Sequence, residues 1–230
     1  MEYRDLLKYN LGAGVEAFTT RRDSVLPYPV IQPHQKHSTN VAVIDRPDYT
    51  REELEGIDAL VTNLPGVAIG VRTADCIPVL LYDPVKRAIG AAHSGWRGTV
   101  NKISAQAVLA MMKNYGCRPA DMKAIIGPGI GPDSFQVGED VAKLFKESGF
   151  PIERIWSFRG PRTEGSMAGG HHIDLWEVCR ITLVECGLED SNIQTAGICT
   201  YESPEFWSAR RDGPMCDRII SSIRLSDLQK

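Results

Sequence analysis

Residues 79–93 read VLLYDPVKRAIGAAH, in which two short apolar runs, 79–82 and 88–92, flank a turn at Asp83-Pro84. Uninterrupted apolar runs of this length are typical of strands that are buried on both faces of a sheet. Further strands of this kind are expected at residues 41–44, 67–71, 123–126, 195–199 and 219–223. The stretch therefore predicts the centre of a buried sheet.

Helical periodicity occurs between these strands. The first helix is expected to begin at Thr99 as its N-cap, and the second to end at Gly149. The third is expected to begin at Asp174, in a capping box with Glu177, and to end at Gly187. The apolar positions that share a face are Val100, Ile103, Ala107 and Met111 in the first helix, Val141, Leu144 and Phe145 in the second, and Val178, Ile181 and Leu183 in the third. Alternating strands and helices predict a mixed α/β fold.

The size and charge of the chain limit its class. It has 230 residues without an internal repeat or a linker, so one domain, 1–230, is expected. The Gly/Pro-rich stretches 127–132 and 160–170 are expected to be loops. The formal net charge is -3 and no block of like charge occurs, which argues against a nucleic-acid groove or a membrane surface.

The compartment is predicted from the first residues and from the cysteines. The opening MEYRDLLKYNLG has no apolar core of signal-peptide length, and no stretch approaches the roughly 18 consecutive apolar residues of a membrane helix. Six cysteines occur without a Cys-x-x-Cys pair, which argues against zinc-ribbon and thioredoxin-like sites. We expect a cytoplasmic protein with reduced thiols. The sequence leaves its oligomeric state open.

Three side chains that can bind a metal lie beside predicted strand ends. His93 follows the run 88–92, His37 precedes the run 41–44, and Cys76 lies in a turn between two strands. Loops at strand ends commonly present reactive groups on a rigid scaffold. A His/Cys/His set would leave the fourth position of a tetrahedral zinc ion open, as catalytic sites do.

Other interpretations of these residues stay open, because their spacing matches no local metal motif. Cys76 could pack in the core, or act as a nucleophile with His93 as its base in a metal-free hydrolase. The same set could bind copper, but five histidines are too few for a multi-copper laccase. Outside these alternatives, His171 and His172 are expected to be loop residues rather than ligands, and Cys179 and Cys186 to pack in the core.

Seven segments along nearly the whole chain resemble the laccase-domain family. Its members were first called polyphenol oxidases and later recognised as purine nucleoside phosphorylases with adenosine deaminase activity. The most specific of the segments are Ala-Asp-Cys-x-Pro and His-x-Gly-Trp-Arg-Gly. In chain order the segments are Gln35-Lys-His-Ser38, Asp58-Ala-Leu-Val-Thr62, Ala74-Asp-Cys-Ile-Pro78, His93-Ser-Gly-Trp-Arg-Gly98, Ile126-Gly-Pro-Gly-Ile130, Cys199-Thr200 and Phe206-Trp-Ser-Ala-Arg-Arg-Asp-Gly213.

The resemblance implies a fold, a metal and a reaction. The fold would be α+β, a four-layer α/β/β/α arrangement with mixed sheets. His37, Cys76 and His93 match the zinc ligands of the family. The implied enzyme cleaves adenosine, inosine, guanosine or methylthioadenosine with phosphate, giving the base and ribose 1-phosphate, and it also deaminates adenosine. Its partners would be purine nucleosides and phosphate.

Several further residues are candidates for roles in these reactions. Phosphorolysis needs a cationic seat for the anion, and Arg72 and Arg97 flank the ligands in sequence. Deamination needs an acid that carries a proton, for which Asp75 is the nearest candidate. We therefore expect Asp75 and Arg97 to be catalytic. The candidates for substrate binding are Gln35, Arg72, Arg210 and Arg211.

One stretch departs from the family pattern. After Thr-Thr-Arg21 the family has a Gly-Gly-x-Ser stretch and a longer loop, whereas here Arg22-Asp-Ser24 leads almost directly to Val30-Ile31. In relatives that loop lies on the substrate side, so the shortening leaves the preferred substrate open. A nucleoside-binding protein that has lost turnover is the non-enzymatic alternative.

Overall fold

The two runs of residues 79–93 form the central hairpin of a six-stranded sheet. The computed structural model describes residues 6–159 and 169–226. Strand Ile77–Asp83 pairs antiparallel with Ala88–Ser94, and every residue of both strands is buried. The Asp83 carboxylate closes the turn by accepting hydrogen bonds from the N–H groups of Val85 and Lys86, both at 2.9 Å.

The strands assemble into three sheets. They are β1 (Leu6–Tyr9), β2 (Val15–Thr20), β3 (Val41–Val43), β4 (Ala59–Thr62), β5 (Ala68–Thr73), β6 (Ile77–Asp83), β7 (Ala88–Ser94), β8 (Lys123–Ile126), β9 (Gln136–Val137), β10 (Trp156–Arg159), β11 (Gly170–Ile173), β12 (Ile193–Thr195) and β13 (Ile219–Leu225). The six-stranded sheet has the order β12-β8-β6-β7-β4-β3, with β12/β8 and β3/β4 parallel. A four-stranded antiparallel sheet has the order β1-β2-β13-β5, and a three-stranded sheet the order β10-β11-β9.

The α-helices of the described residues are α1 (Trp96–Val100), α2 (Ile103–Tyr115), α3 (Glu139–Glu147), α4 (Ile152–Ile155), α5 (Leu175–Glu185) and α6 (Ala209–Asp212). Five of these six helices, α1 to α5, contribute to the core on one face of the six-stranded sheet, whereas α6 lies at the metal-site end of the fold. Because successive side chains of a strand point to opposite faces, β6 divides its residues between two cores. Val79 and Leu81 pack in the core with α2 and α5, whereas Leu80 and Tyr82 pack against the four-stranded sheet. In the described residues no helix is long and apolar enough to cross a membrane.

The expected single-domain mixed α/β fold with mixed sheets is confirmed. Of the four layers that the resemblance implied, the described residues form three in succession: the helices, the six-stranded sheet and the four-stranded sheet. In the described residues the outer face of the four-stranded sheet is covered by a loop rather than by a helix. The Phe18 ring packs edge-on against Tyr28 at 5.9 Å between centroids, and Val30 lies over Gly70 so closely that a Cβ there would be 2.9 Å from it.

The predicted strands are confirmed except for the run 195–199. That prediction is wrong beyond Thr195, because Gly197, at a φ of 64°, takes the chain out of the sheet. The prediction that His171 and His172 are loop residues is also wrong, since both lie on β11. Of the expected loop 160–170, residues 160–168 lie outside the described residues. The expected loop 127–132 is confirmed.

The predicted start of the first helix is wrong, whereas the predicted start of the third helix is confirmed. Thr99 is not an N-cap, because Lys102, at a φ of 58°, separates α1 from α2. Asp174 does cap α5, accepting from the Glu177 N–H at 2.9 Å, but the Glu177 side chain pairs with Arg154 instead of returning. The predicted apolar faces are buried except for Leu144, which is exposed, and Val141, which is half-buried.

Candidate metal site and arginine-lined pocket

His37, Cys76 and His93 meet at one end of the six-stranded sheet. Ile77 pairs with Ser94 in the β6/β7 ladder, so Cys76, just before β6, lies beside His93 near the end of β7. His37 approaches from the loop before β3. One ligand atom from each of the three residues lies within 4.8 Å of the others, and His37 Nε2 is 3.8 Å from Cys76 Sγ. The three residues form the cluster that the sequence predicted.

Asp58 holds two of these ligands in place. It is fully buried just before β4, next to His93, and its carboxylate lies 2.7 Å from His93 Nδ1. The same carboxylate accepts hydrogen bonds from the backbone N–H groups of Lys36, His37 and Ser38 at 3.0, 3.0 and 2.8 Å. His93 is therefore oriented through Nδ1, which leaves Nε2 as its ligand atom.

The charges of the cluster favour a Cys76 thiolate beside a protonated His93, which would release its proton on binding a metal. Burial opposes ionisation of the Cys76 thiol, but His93 and His37 outweigh it and lower the pKa of Cys76 to about 6. Burial likewise opposes a charge on His93, but Cys76 and Asp58 raise the pKa of its imidazole to about 9. Hydrogen bonds from His93 and the 36–38 backbone hold the pKa of Asp58 at about 2 against burial. Cys76 is thus readily available as a thiolate, the form that binds metals.

The donor set fits a metal ion. Two imidazole nitrogens and one thiolate sulfur match the ligands of a catalytic zinc site with one open position. Copper also accepts these donors. Within the described residues, this is the one cluster of three or more His, Cys, Asp or Glu side chains arranged to hold a metal.

Gly95 leaves room for the cluster. A Cβ at this position would lie 2.5 Å from His37 Cδ2 and 3.1 Å from Cys76 Sγ. Any other residue would therefore push His37 away from its partners. This explains the glycine between His93 and Trp96 in the family-like segment.

The cluster opens into a pocket of about 390 Å³, here called the metal pocket. It is lined by His34, Gln35, His37, Arg51, Arg72, Thr73, Ala74, Cys76, His93, Ala209, Pro214 and Arg218. Three arginines line it, and none of the described lining residues is an Asp or a Glu. The pocket is therefore suited to an anion.

Two predicted substrate residues, Gln35 and Arg72, line the metal pocket. The Gln35 amide pairs with the backbone of Arg72, donating to its carbonyl at 2.8 Å and accepting from its N–H at 2.9 Å. This leaves the Arg72 guanidinium to the pocket, with Asp217 at 3.2 Å. Burial lowers the pKa of Arg72, and the nearby positive charges of Arg51 and Arg218 lower it further. An anion would relieve this repulsion.

Four other predicted residues do not line the metal pocket. The Asp75 carboxylate accepts from the Thr200 hydroxyl and the Arg210 N–H, both at 2.7 Å. Arg97 is exposed, with its guanidinium 4.3 Å from the centre of the Trp96 ring. The Arg211 side chain donates to the carbonyls of Thr200, Tyr201, Ser203 and Phe206, and the Arg210 side chain to those of Ser134 and Gln136.

Sequence reasoning missed Asp58, Arg51 and His34 as site residues. Asp58 could have been noticed as a lone carboxylate that opens the apolar run 58–62 in a family-like segment. His34 lies three residues before His37, and its Nδ1 contacts the Glu55 carboxylate. Arg51 sits in a polar stretch without any pattern, so only the fold reveals it.

Comparison with known proteins shows which protein family this chain resembles in sequence. Residues 15–226 match the family model described as "Multi-copper polyphenol oxidoreductase laccase". The chain is 40% identical to a protein named purine nucleoside phosphorylase from Bacteroides thetaiotaomicron, over 93% of this chain and 82% of that protein. It is also 40% identical to a protein named adenosine deaminase RL5 from an unknown prokaryotic organism, over 84% of this chain and 74% of that protein.

Solved structures share the fold. The chain resembles the hypothetical protein YfiH of Bacillus licheniformis with a TM-score of 0.81 and 25% identity, covering 92% of this chain and 93% of that one. YlmD from Geobacillus stearothermophilus aligns with the same TM-score at 23% identity, and the alignment covers 99% of this chain and 98% of YlmD.

Proposed function

Because this chain belongs to the multi-copper polyphenol oxidoreductase laccase family, and relatives at 40% identity are named for purine nucleoside reactions, we propose that it is a zinc enzyme that cleaves purine nucleosides with phosphate. Deamination of adenosine is proposed as a second reaction at the same site. The cytoplasm is the proposed location. Adenosine, inosine, guanosine and methylthioadenosine are the proposed substrates.

One observation carries the proposal. The His37, Cys76 and His93 cluster opens into a pocket with three arginines and no carboxylate among its described lining residues. Phosphorolysis needs such a cationic seat, because the attacking phosphate is an anion. A multi-copper oxidase would need several metal clusters, whereas the described residues form one.

The chain's own residues have distinct proposed parts. Zinc held by His37, Cys76 and His93 would supply Lewis-acid polarisation to an oxygen nucleophile. Arg51 and Arg72 would bind phosphate and hold it beside the ribose. A phosphate oxygen then bonds to C1′ while the bond from C1′ to the purine breaks, and its electrons leave with the base, which takes up a proton.

Asp75, Arg97, Arg210 and Arg211 have different proposed parts from those expected. Asp75 holds Thr200 and the start of α6 through its two carboxylate oxygens, so we propose that it positions the turn that carries Cys76. Arg210 and Arg211 brace neighbouring carbonyls, and Arg97 stacks on Trp96. We propose that phosphate is held by Arg72 rather than by Arg97.

The test of the function is a set of three incubations with purified protein. Inosine with phosphate is expected to release hypoxanthine together with ribose 1-phosphate, and inosine without phosphate to release little. Adenosine without phosphate is expected to give inosine and ammonia. Absence of all these products from zinc-loaded protein would contradict the proposal. Oxidation of a phenol in proportion to bound copper would instead favour the oxidase.

We predict that Arg72→Gln raises the KM for phosphate by about 10- to 100-fold, because one charge-assisted contact to the anion is lost. The KM for inosine should change much less. Steady-state kinetics with phosphate as the varied substrate checks this. Arg97→Gln and the surface variant Arg118→Gln are the matched controls, since neither side chain lines the metal pocket. A larger effect in Arg97→Gln would restore the role expected from the sequence.

We predict that His34→Gln lowers kcat by about 10- to 100-fold, because His34 is proposed to give the leaving purine its proton. Its Nδ1 pairs with Glu55, which leaves Nε2 for the substrate, and it lines the metal pocket. Single-turnover release of the base measures the effect. His171→Gln is the matched control on β11, outside the pocket. Equal rates in both variants would remove His34 from the reaction.

A further inference from the structure

Asp217 forms an ion pair with Arg72, one of the two arginines proposed to bind phosphate. Its Oδ1 atom lies 3.2 Å from Arg72 Nη2, and the side chains of Asp217 and Arg72 are 68% and 33% exposed. An ion pair this exposed contributes little free energy. A second anion that reaches the Arg72 guanidinium can therefore replace the carboxylate.

Asp217 belongs to a turn, residues 213–218, that joins α6 to β13 and forms part of the wall of the metal pocket. Arg218 lines the pocket, but its guanidinium donates to carbonyls of the same turn, those of Pro214 at 2.9 Å, Asp217 at 3.1 Å and Cys216. The Arg218 N–H also donates to Asp217 Oδ1 at 2.7 Å. These bonds make the turn a compact unit, and the ion pair is a side-chain link between the turn and β5.

Asp217 balances positive charge at Arg72. Burial and the positive charges of Arg51 and Arg218 lower the pKa of the Arg72 guanidinium, and the negative charge of Asp217 acts in the opposite direction. A phosphate ion on Arg72 would supply the same compensation from within the pocket. Two anions on one guanidinium repel each other, so each weakens the binding of the other.

We propose that Asp217 is a specificity-determining residue that competes with phosphate for Arg72 and gives up the ion pair when phosphate binds, which breaks the link between the 213–218 turn and β5. This inference rests on the proposed function and names a residue that regulates it. In deamination, water adds to C6 of adenosine and ammonia leaves, so no anion is needed at Arg72. Asp217 therefore sets the phosphate concentration above which phosphorolysis of adenosine overtakes deamination.

The first experiment measures the Kd of inorganic phosphate by calorimetry with zinc-loaded protein, so that it does not depend on turnover. Asp217→Asn keeps the size of the side chain and is expected to tighten phosphate binding by about three- to fivefold, an effect typical of an exposed ion pair. In an Arg72→Gln background the same exchange is expected to leave the Kd unchanged, because the residue it acts through is absent. Glu205→Gln removes an exposed carboxylate that pairs with Arg21 outside the metal pocket, and it is the matched control.

The second experiment follows hydrogen exchange of the 213–218 turn by mass spectrometry, with and without inorganic phosphate. Phosphate is expected to speed exchange in the parent, because the Arg218 N–H donates to the carboxylate that phosphate displaces. A ligand that only covers the pocket would slow exchange there. Asp217→Asn is expected to exchange fast even without phosphate. Circular dichroism verifies that each variant is folded.

Steady-state kinetics connects the binding to the reaction. In Asp217→Asn the KM for phosphate should fall by the same factor as the Kd, while deamination of adenosine without phosphate keeps the rate of the parent. An unchanged Kd in Asp217→Asn, equal tightening with and without Arg72, or slower exchange of the turn with phosphate would each overturn the proposal. Tighter phosphate binding and a responsive turn without any release of base from inosine would leave the competition standing and contradict the proposed function.

Discussion

Cys76→Ala is expected to reduce bound zinc from near one ion per chain to a small fraction and to lower phosphorolysis by about 1000-fold, since Lewis-acid stabilisation supplies several kcal/mol. Cys76 is the one sulfur donor of the cluster, and its thiolate is favoured by His93 and His37. Two imidazoles alone hold the ion poorly. Elemental analysis of the purified protein, together with base release from inosine and phosphate, measures both effects.

The control removes a thiol outside the cluster. Cys186→Ala changes a half-buried residue at the end of α5 and should keep both its zinc and its activity. Full zinc occupancy in Cys76→Ala would contradict the assignment of the ligand. An active protein without metal, inactivated only by Cys76→Ala, would favour the cysteine hydrolase that the sequence left open.

Asp58→Ala is expected to lower the free energy of unfolding by about 3 kcal/mol, because it leaves one buried and three part-buried donors without their acceptor. These donors are His93 Nδ1 and the backbone N–H groups of Lys36, His37 and Ser38. Zinc affinity should fall by about 100-fold as His93 loses its orienting partner. Urea denaturation and competition with a chelator measure the two quantities.

Asp58→Asn separates the two effects. Its amide keeps the size of the side chain and one acceptor oxygen, so it should fold even if Asp58→Ala does not, with a smaller loss of zinc affinity. Asp121→Ala, at an exposed ion pair with Arg118, should change stability by less than about 0.5 kcal/mol. An Asp58→Ala protein that unfolds at the parent's urea concentration would contradict the role of this carboxylate.

The sequence predicted the elements that carry strong local patterns. The hairpin of residues 79–93 consists of uninterrupted apolar runs around an Asp-Pro turn, and the cap of α5 needs only Asp174 and the N–H of Glu177. The strand β11 was missed because His171 and His172 look like loop residues when read alone. The break at Lys102 was missed because the apolar period continues across it.

The metal cluster was predictable from the sequence, but its pocket was not. His37, Cys76 and His93 lie in segments that resemble a family, and the structure brings them together. Arg51 comes from a polar stretch far from all three in sequence, and chain neighbours such as Arg97 proved to be exposed instead. Proximity in sequence says little about side-chain direction. Asp75 was expected to act on substrate because it is next to Cys76 in sequence. In the structure both of its carboxylate oxygens accept hydrogen bonds from within the protein, one from the Thr200 hydroxyl and one from the Arg210 N–H.

The hydrogen bonds of Asp58 bear on how the protein obtains its metal. They join His93 to the 36–38 backbone and do not involve a metal ion. The ligands His37 and His93 can therefore be brought together before a metal binds. Copper binds nitrogen and sulfur donors more tightly than zinc does. A preformed site of this kind would take whichever ion the cell makes available, and we expect a preparation grown in copper-rich medium to carry copper. The cell's metal supply, rather than the folding of the chain, would then decide which ion occupies the site.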